Sequence, residues 1–387
     1  MSTNWIQDEL LRLDEKQTRR THRCRQSPPV SGLVQIDGEQ YIDFSSNDYL
    51  GLAADSRLVD AVKSVAGQTG WGAGSSPLVA GRGIWHRRLE QELAKLKQTE
   101  SALLFSTGFA ANVGTITALV GDNDIVFSDE RNHASIIDGC RLSKAEICIY
   151  RHLDLEHLRE CLATANSRGR KLIVTDSLFS MDGDFAPLAE LCKLAVDNDA
   201  MLMVDEAHAT GVWGQQGRGV CEMLNVEDQV PIRVGTLSKA LGSLGGFLAG
   251  SQELIDLVLN KARTYMFSTA QPEAAAAASL AAIQALYDEP ARRQRVIESS
   301  KKLRADLSEQ GWDLGNSQSQ IIPVILRTES AALEMSESLR STGIFVPAIR
   351  PPAVPSGKSM LRISLTSAHS DDQLQALMSA LRQLQPV

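Results

Sequence analysis

The sequence predicts an α/β protein: a large domain on a mostly parallel sheet, followed by a small α+β C-terminal domain. Three observations lead there. Six short apolar runs recur along the middle of the chain, most of them separated by a helical segment: Ala102–Phe105, Ile125–Phe127, Ile147–Ile149, Leu172–Val174, Met201–Val204 and Ile232–Val234. Polar residues able to do chemistry (His133, Ser180, Asp205, His208 and Lys239) stand just after these runs. The composition then shifts near Leu286-Tyr-Asp-Glu-Pro290. Strands alternating with helices pair in parallel, because the helix supplies the long crossover that a parallel neighbour needs. In such sheets ligands bind at the carboxyl ends of the strands, so the five polar residues predict one shared site.

The chain is long enough for more than one domain, with 387 residues of which 43% are hydrophobic and 22% charged. A formal net charge of −8 gives no global sign of nucleic-acid binding. Six scattered cysteines form no C-x-x-C pair and read as reduced thiols of a cytosolic protein. The N-terminus is polar, unlike a signal peptide, and no apolar stretch is long enough to span a membrane.

Residues near 5–25 read as a helix carrying Leu10, Leu11 and Leu13 into a basic cluster of Arg19, Arg20, Arg23 and Arg25, broken by Ser27-Pro-Pro29. Leu33–Ile36 and Tyr41–Phe44 flank Asp37-Gly38 and predict a hairpin. Residues 1–50 are thus an N-terminal helix-and-hairpin segment and 51–287 a large cofactor-binding domain, in which Leu89, Leu93 and Leu96 line one face of a charged helix. Residues 288–387 form the small domain, with strands at Ile321–Ile325, Ile344–Val346 and Leu361–Leu365, a loop at Arg350–Pro355 and a final helix.

Lys239 lies in Gly235-Thr-Leu-Ser-Lys-Ala-Leu-Gly-Ser-Leu-Gly-Gly246, and Asp205-Glu-Ala-His208 ends the apolar run before it. Taken alone, a lysine near glycines is usually a solvated loop residue. Together with an acidic residue at a neighbouring strand end it is what a pyridoxal phosphate site requires. The amine forms a Schiff base with the cofactor aldehyde, and the aspartate keeps the pyridine nitrogen protonated. Asp205–His208 also spells the DEAH box of a helicase, which requires an upstream Walker A loop. The only Gly-Lys-Ser, at 357–359, lies downstream and has Pro352 where that loop needs glycine. Gly70-Trp-Gly-Ala-Gly74 fails the dinucleotide fingerprint because Ser75 follows. Ser106-Thr-Gly-Phe-Ala-Ala-Asn112 opens a helix, where backbone amides favour phosphate. His133 could stack on an aromatic ring, although a lone histidine is more often a structural hydrogen bonder. Arg350 and Arg362 could each clamp a carboxylate, against a default of surface ion pairing.

These motifs, taken with Ser45-Ser-Asn-Asp-Tyr-Leu-Gly-Leu52, Asn132–Ser135, Phe179-Ser-Met-Asp-Gly183 and Gly217-Arg-Gly219, resemble the α-oxoamine synthases over nearly the whole chain. That family consists of fold-type I pyridoxal phosphate-dependent acyltransferases, which condense an amino acid with an acyl thioester and lose CO2. The resemblance implies a seven-stranded sheet in the large domain and a homodimer. It implies Lys239 as the covalent anchor and base, Asp205 at the ring nitrogen, His208 at the ring's phenolic oxygen and His133 stacked on the ring, with space opposite at Ala207. Gly108, Phe109, Thr236 and Ser180 would complete the cofactor contacts, with Ser268 and Thr269 reaching the partner's phosphate. Arg23, Asn47, Arg350, Ala353 and Arg362 would meet the substrates. No metal is implied.

The stretch Ala348–Pro355, with Leu361-Arg362 and Ala368-His369, is most similar to the biotin-pathway branch. This implies L-alanine and a pimeloyl thioester, carried on an acidic acyl carrier protein or on coenzyme A. Arg19–Arg25 could steer such a carrier. The alternatives within the family pair glycine with acetyl-CoA or serine with a long acyl chain. A catalytically silent partner subunit is disfavoured by the intact Lys239, Asp205 and His208. Ala353 departs from the threonine of many biotin-pathway members, which removes a hydroxyl near the substrate.

Overall fold

The computed structural model describes residues 4–28, 30–165 and 169–384. Pro29, the last residue of the expected helix break, lies outside them. The chain divides into two compact units, one of residues 48–180 and 184–294, the other of residues 1–47, 181–183 and 295–387. Thirteen strands form among the described residues: β1 (Leu33–Ile36), β2 (Glu39–Asp43), β3 (Ser101–Phe105), β4 (Ile125–Asp129), β5 (Glu146–Tyr150), β6 (Lys171–Asp176), β7 (Ala200–Asp205), β8 (Ile232–Thr236), β9 (Gly246–Gly250), β10 (Ile321–Arg327), β11 (Ile344–Phe345), β12 (Ala348–Ile349) and β13 (Ser359–Ser364).

The larger unit is built on a seven-stranded sheet of order β3-β9-β8-β7-β6-β4-β5. β4 to β8 run parallel, and β9 is inserted antiparallel to both β3 and β8. β9, which the periodicity does not predict, reads Gly-Phe-Leu-Ala-Gly, a short apolar run bounded by glycine at both ends. Its first residue has to be glycine, because a Cβ on Gly246 would stand 2.5 Å from the backbone nitrogen of Gly108. The helix Gly108–Leu119 packs into this sheet's core through Ala111, Ile116, Ala118 and Leu119, beside Val126, Leu172 and Met203. That helix is apolar nearly all round, as burial on several sides requires.

In the smaller unit, β1 and β2 form the expected hairpin, turning at Asp37 (φ 52°) and Gly38 (φ 94°). β11 then pairs in parallel with β2, and Phe44 stacks on His369 with centroids 4.4 Å apart. These long-range contacts place the hairpin, read from the sequence within a segment of its own, in one unit with the C-terminal strands β10, β12 and β13. The division between the units falls inside the continuous helix Pro290–Glu309 rather than at the composition shift.

The N-terminal helix is shorter than expected and spans Asn4–Glu15. Gln17 adopts a left-handed conformation (φ 53°), and the amides of Gln17 and Thr18 turn back to the carbonyls of Asp14 and Leu13. This Schellman closure ends the helix before the arginine cluster, so Arg19, Arg20, Arg23 and Arg25 lie on extended chain and not on a helix face.

Candidate active site

Asp205, His208 and Lys239 each sit at a strand end or in the turn that follows it. Asp205 is the last residue of β7 and is 4% exposed. Its Oδ2 accepts from Asn112 Nδ2 at 2.6 Å and its Oδ1 from the backbone amide of Ala207 at 2.8 Å. Three residues on, His208 stands with Nε2 2.7 Å from Lys239 Nζ and Nδ1 2.6 Å from the Tyr49 hydroxyl. The imidazole thus bridges the Lys239 amine and the Tyr49 phenol, one ring nitrogen to each. Lys239 itself rides on a tight loop after β8, closed by Leu237 N to Gly245 O, Ser243 N to Leu237 O and Gly242 N to Lys239 O. Gly242 (φ 58°) permits that loop, since a Cβ there would stand 2.5 Å from Ala53 N.

His133 opens the helix Ala134–Ser143, with its backbone amide donating to Asp176 Oδ2 at 2.7 Å and its Nδ1 2.7 Å from Ser135 Oγ. Ser135 Oγ accepts from Asn112, which links this turn to Asp205. Crowding of the imidazole lowers its pKa. Asp205 acts in the opposite sense, and Lys239 adds to the lowering. A neutral, flat ring is thus favoured at His133. Asp176, paired in register with Asp205, is fully buried, and burial followed by the Asp205 charge pushes its carboxyl well up.

The turn from β3 into its helix is capped by Thr107, whose Oγ1 accepts from Ala110 N at 3.0 Å. The place for a Cβ on Gly108 lies 3.3 Å from Thr236 Cβ, so Gly108 and Thr236 adjoin, as the phosphate reading expects. The residues fit pyridoxal phosphate on three counts. A buried carboxylate is already oriented by Asn112, a lysine amine is held by a histidine, and a helix start with a bare Cα lies beside a threonine. Phe109 follows with an exposed ring, and Ser180 is half-buried beyond β6. Thr269 is exposed and lines a small cavity with Arg82, Glu90, Ser106 and Gln271.

The predicted substrate residues belong to the smaller unit. Arg362, on β13 and 4% exposed, directs both terminal nitrogens at Asn47 Oδ1, at 3.1 and 3.2 Å. Arg350 donates to the Gln17 carbonyl, and Arg20 donates to the carbonyls of Arg350 and Pro351. Arg19, Arg20, Arg23 and Arg350 line one open cleft with Asp14 and Leu333. Burial, and then the charge of Arg20, lowers the pKa of Arg350. Ala353 lies in the turn after Arg350, its amide donating to the Arg350 carbonyl at 3.1 Å.

Sequence reasoning left out Tyr49, Asn112 and Asp176 as site residues. The first two lie inside motifs already singled out, and Asp176 repeats the pattern of Asp205, an apolar run ending in aspartate. It also left out Lys97, which is fully buried with Nζ 2.8 Å from Glu206 Oε2 and from Thr210 Oγ1. Glu206, between Asp205 and Ala207, thereby anchors the backbone that presents Asp205 and His208. No sequence signal marks Lys97, which sits on a helix whose other lysine, Lys95, reads as solvated.

The chain matches the family model for class I and II aminotransferases over residues 39–381. It is 47% identical over 384 residues to the 8-amino-7-oxononanoate synthase of Anaeromyxobacter dehalogenans (strain 2CP-1), covering 99% of this chain and 96% of that protein. It is 42% identical to 8-amino-7-oxononanoate synthase 2 of Bacillus subtilis (strain 168), covering 98% and 97%. Among solved structures it resembles a serine palmitoyltransferase from S. paucimobilis with a bound PLP–myriocin aldimine, with a TM-score of 0.93, 31% identity and coverage of 98% and 96%. The 8-amino-7-oxononanoate synthase of Francisella tularensis aligns with a TM-score of 0.78 and 28% identity, over 89% and 97% of the two chains. The chain therefore belongs to the class I and II aminotransferase family and, within it, to the 8-amino-7-oxononanoate synthases among the pyridoxal phosphate-dependent α-oxoamine synthases.

Proposed function

We propose that the chain condenses L-alanine with a pimeloyl thioester to give 8-amino-7-oxononanoate, CO2 and a free thiol, the step of biotin synthesis for which its relatives are named. Near-full-length identity to those relatives carries the choice of substrates. The bond formed joins the alanine Cα to the thioester carbonyl carbon. The thiolate leaves, the α-carboxylate departs as CO2, and a proton takes its place on Cα. When bound, pyridoxal phosphate supplies the electron sink that makes the alanine Cα nucleophilic.

Lys239 Nζ is the amine that takes the cofactor covalently and removes the proton from the alanine Cα. His208, 2.7 Å from that nitrogen, orients it and shares its hydrogen bond. An ammonium cannot act as a base, so Lys239 removes that proton as the neutral amine. Asp205, held by Asn112 and Ala207, would meet the cofactor's ring nitrogen and favour its protonated form. His133 would offer the ring its flat imidazole. The amides at Gly108 and Phe109, with Thr236 and Ser180, would hold the phosphate end. Arg362, set by Asn47, takes the alanine carboxylate, and Arg23 and Arg350 meet the acyl donor. A second copy of the chain completes the site through Thr269.

The structural likeness to serine palmitoyltransferase supports a second reading, serine with a long acyl thioester. An assay pairing alanine, glycine and serine with pimeloyl, acetyl and palmitoyl thioesters decides. Turnover confined to alanine and pimeloyl thioester is expected, and a preference for serine with palmitoyl thioester would sink the first reading.

A further inference from the structure

His152 plays no part in the chemistry above, yet it bridges two buried carboxylates, at the end of β4 and just after the Ser180 turn. Its Nδ1 lies 2.9 Å from Asp129 Oδ1 and its Nε2 3.1 Å from Asp184 Oδ2, and those two aspartate side chains are 1% and 4% exposed. We propose that His152 is a positioning residue for the cofactor pocket: as an imidazolium it clamps the base of the His133 turn to the base of the Ser180 turn.

Asp129 is the last residue of β4, and its carboxylate also accepts from the amides of Arg131 and Leu153. Between Asp129 and His133 there is little slack. Asn132 donates to Ser128 Oγ and to the Val174 carbonyl, and accepts from the Asp176 amide. A shift at Asp129 is therefore passed on to His133. On the other arm, the Asp184 carbonyl accepts from Phe179 N at 3.0 Å, and Leu178 bridges Phe185, so Ser180 hangs from a short closed turn. The Phe179 ring meets His152 edge-on, with centroids 4.5 Å apart at 88°. Burial opposes the charge on His152, but the hydrogen bonds and charges of Asp129 and Asp184 overcome it and raise the imidazole to about 10. The neighbouring titratable groups, Tyr150 and Asp176, are themselves raised by burial, and Asp129 and Asp184 are the two carboxylates within hydrogen-bond reach of the ring. Asp184 Oδ1 has no hydrogen-bond partner, which leaves His152 as the group that compensates this carboxylate.

The inference rests on the reading that His133 and Ser180 hold the cofactor. It is tested by stripping pyridoxal phosphate from the protein and titrating it back, following the absorbance of the cofactor on Lys239. His152→Gln removes the charge while keeping a polar side chain. Asp184→Asn, isosteric, cuts one arm and decides alone if His152→Gln does not fold. Each is expected to weaken cofactor binding by about 10-fold, as loss of a buried charge-assisted hydrogen bond does. His152→Arg is expected to recover part of the loss. Variants that melt lower without cofactor yet bind it within about 2-fold of wild type would show a merely structural role and overturn the clamp. A wild-type chain that takes up no pyridoxal phosphate would overturn the cofactor reading itself, and the clamp with it.

Discussion

Lys97 and Glu206 meet with side chains 0% and 1% exposed, whereas Arg19 and Asp14 meet at the N-terminal cleft with 44% and 48% of theirs in solvent. The distances are alike, 2.8 and 2.6 Å. The consequences are not. In the first pair each charge depends on the other, because water cannot reach either. In the second, water and salt compete for both ends, so the pair holds little and the arginines remain available to an incoming anion. The larger unit fixes the geometry of its site by burial, while the arginine cleft offers an accessible electrostatic field.

The strongest break to that contrast is made at the pocket's reactive nitrogen. Lys239→Ala should lower turnover by at least about 10²–10⁴-fold, the range for losing a positioned base, and should abolish the borohydride-fixable cofactor colour. A rapid-quench assay beside an absorbance spectrum checks both. Next, Lys97→Met should cost about 3–5 kcal/mol of stability in urea unfolding, because Glu206 loses its buried ion-pair partner and keeps only the Cys221 amide. If Asp14→Ala cost as much, the contrast would be void; a loss below about 1 kcal/mol is expected for that exposed pair.

The His152 clamp adds a pH test. A histidine raised from 6.5 to about 10 in the folded state contributes stability that is fully present below about pH 6.5 and is lost as pH rises through about 10. Melting temperature should therefore fall between pH 7 and 10, and His152→Gln should flatten that fall. The cleft gives the smallest effect and the one most sensitive to salt. Reversing the charge of Arg19 and Arg20 should slow turnover by a few-fold to about 10-fold with carrier-linked pimeloyl substrate at low salt. The coenzyme A form should be affected less, and the difference should shrink as salt is added. Equal slowing of both forms would remove the carrier from the account.

Much of the larger unit could be read in advance because its signals are local. Each of the six apolar runs lies in a strand, and the polar residues that follow them stand at strand ends, since a residue next to a buried strand has little freedom in where it goes. β9 escaped because glycines bound its three apolar residues, and the need for Gly246 is explained only by the neighbouring backbone of Gly108. The N-terminal helix was drawn too long because a closing residue such as Gln17 has no distinctive side chain. The hairpin's membership in the smaller unit depends on β11, three hundred residues away, pairing with β2.

The sequence by itself determined which chemistry the chain is equipped for: a lysine, an aspartate and two histidines, each tied to a strand end, within motifs dense enough to name a family. The tertiary structure decided what keeps those groups in working order. Lys97 under Glu206, Asn112 against Asp205, Tyr49 behind His208 and His152 between Asp129 and Asp184 are partners distant in sequence. A buried charge or polar group is tolerable only when such a partner arrives, and that arrival is a property of the folded chain rather than of any local stretch of it.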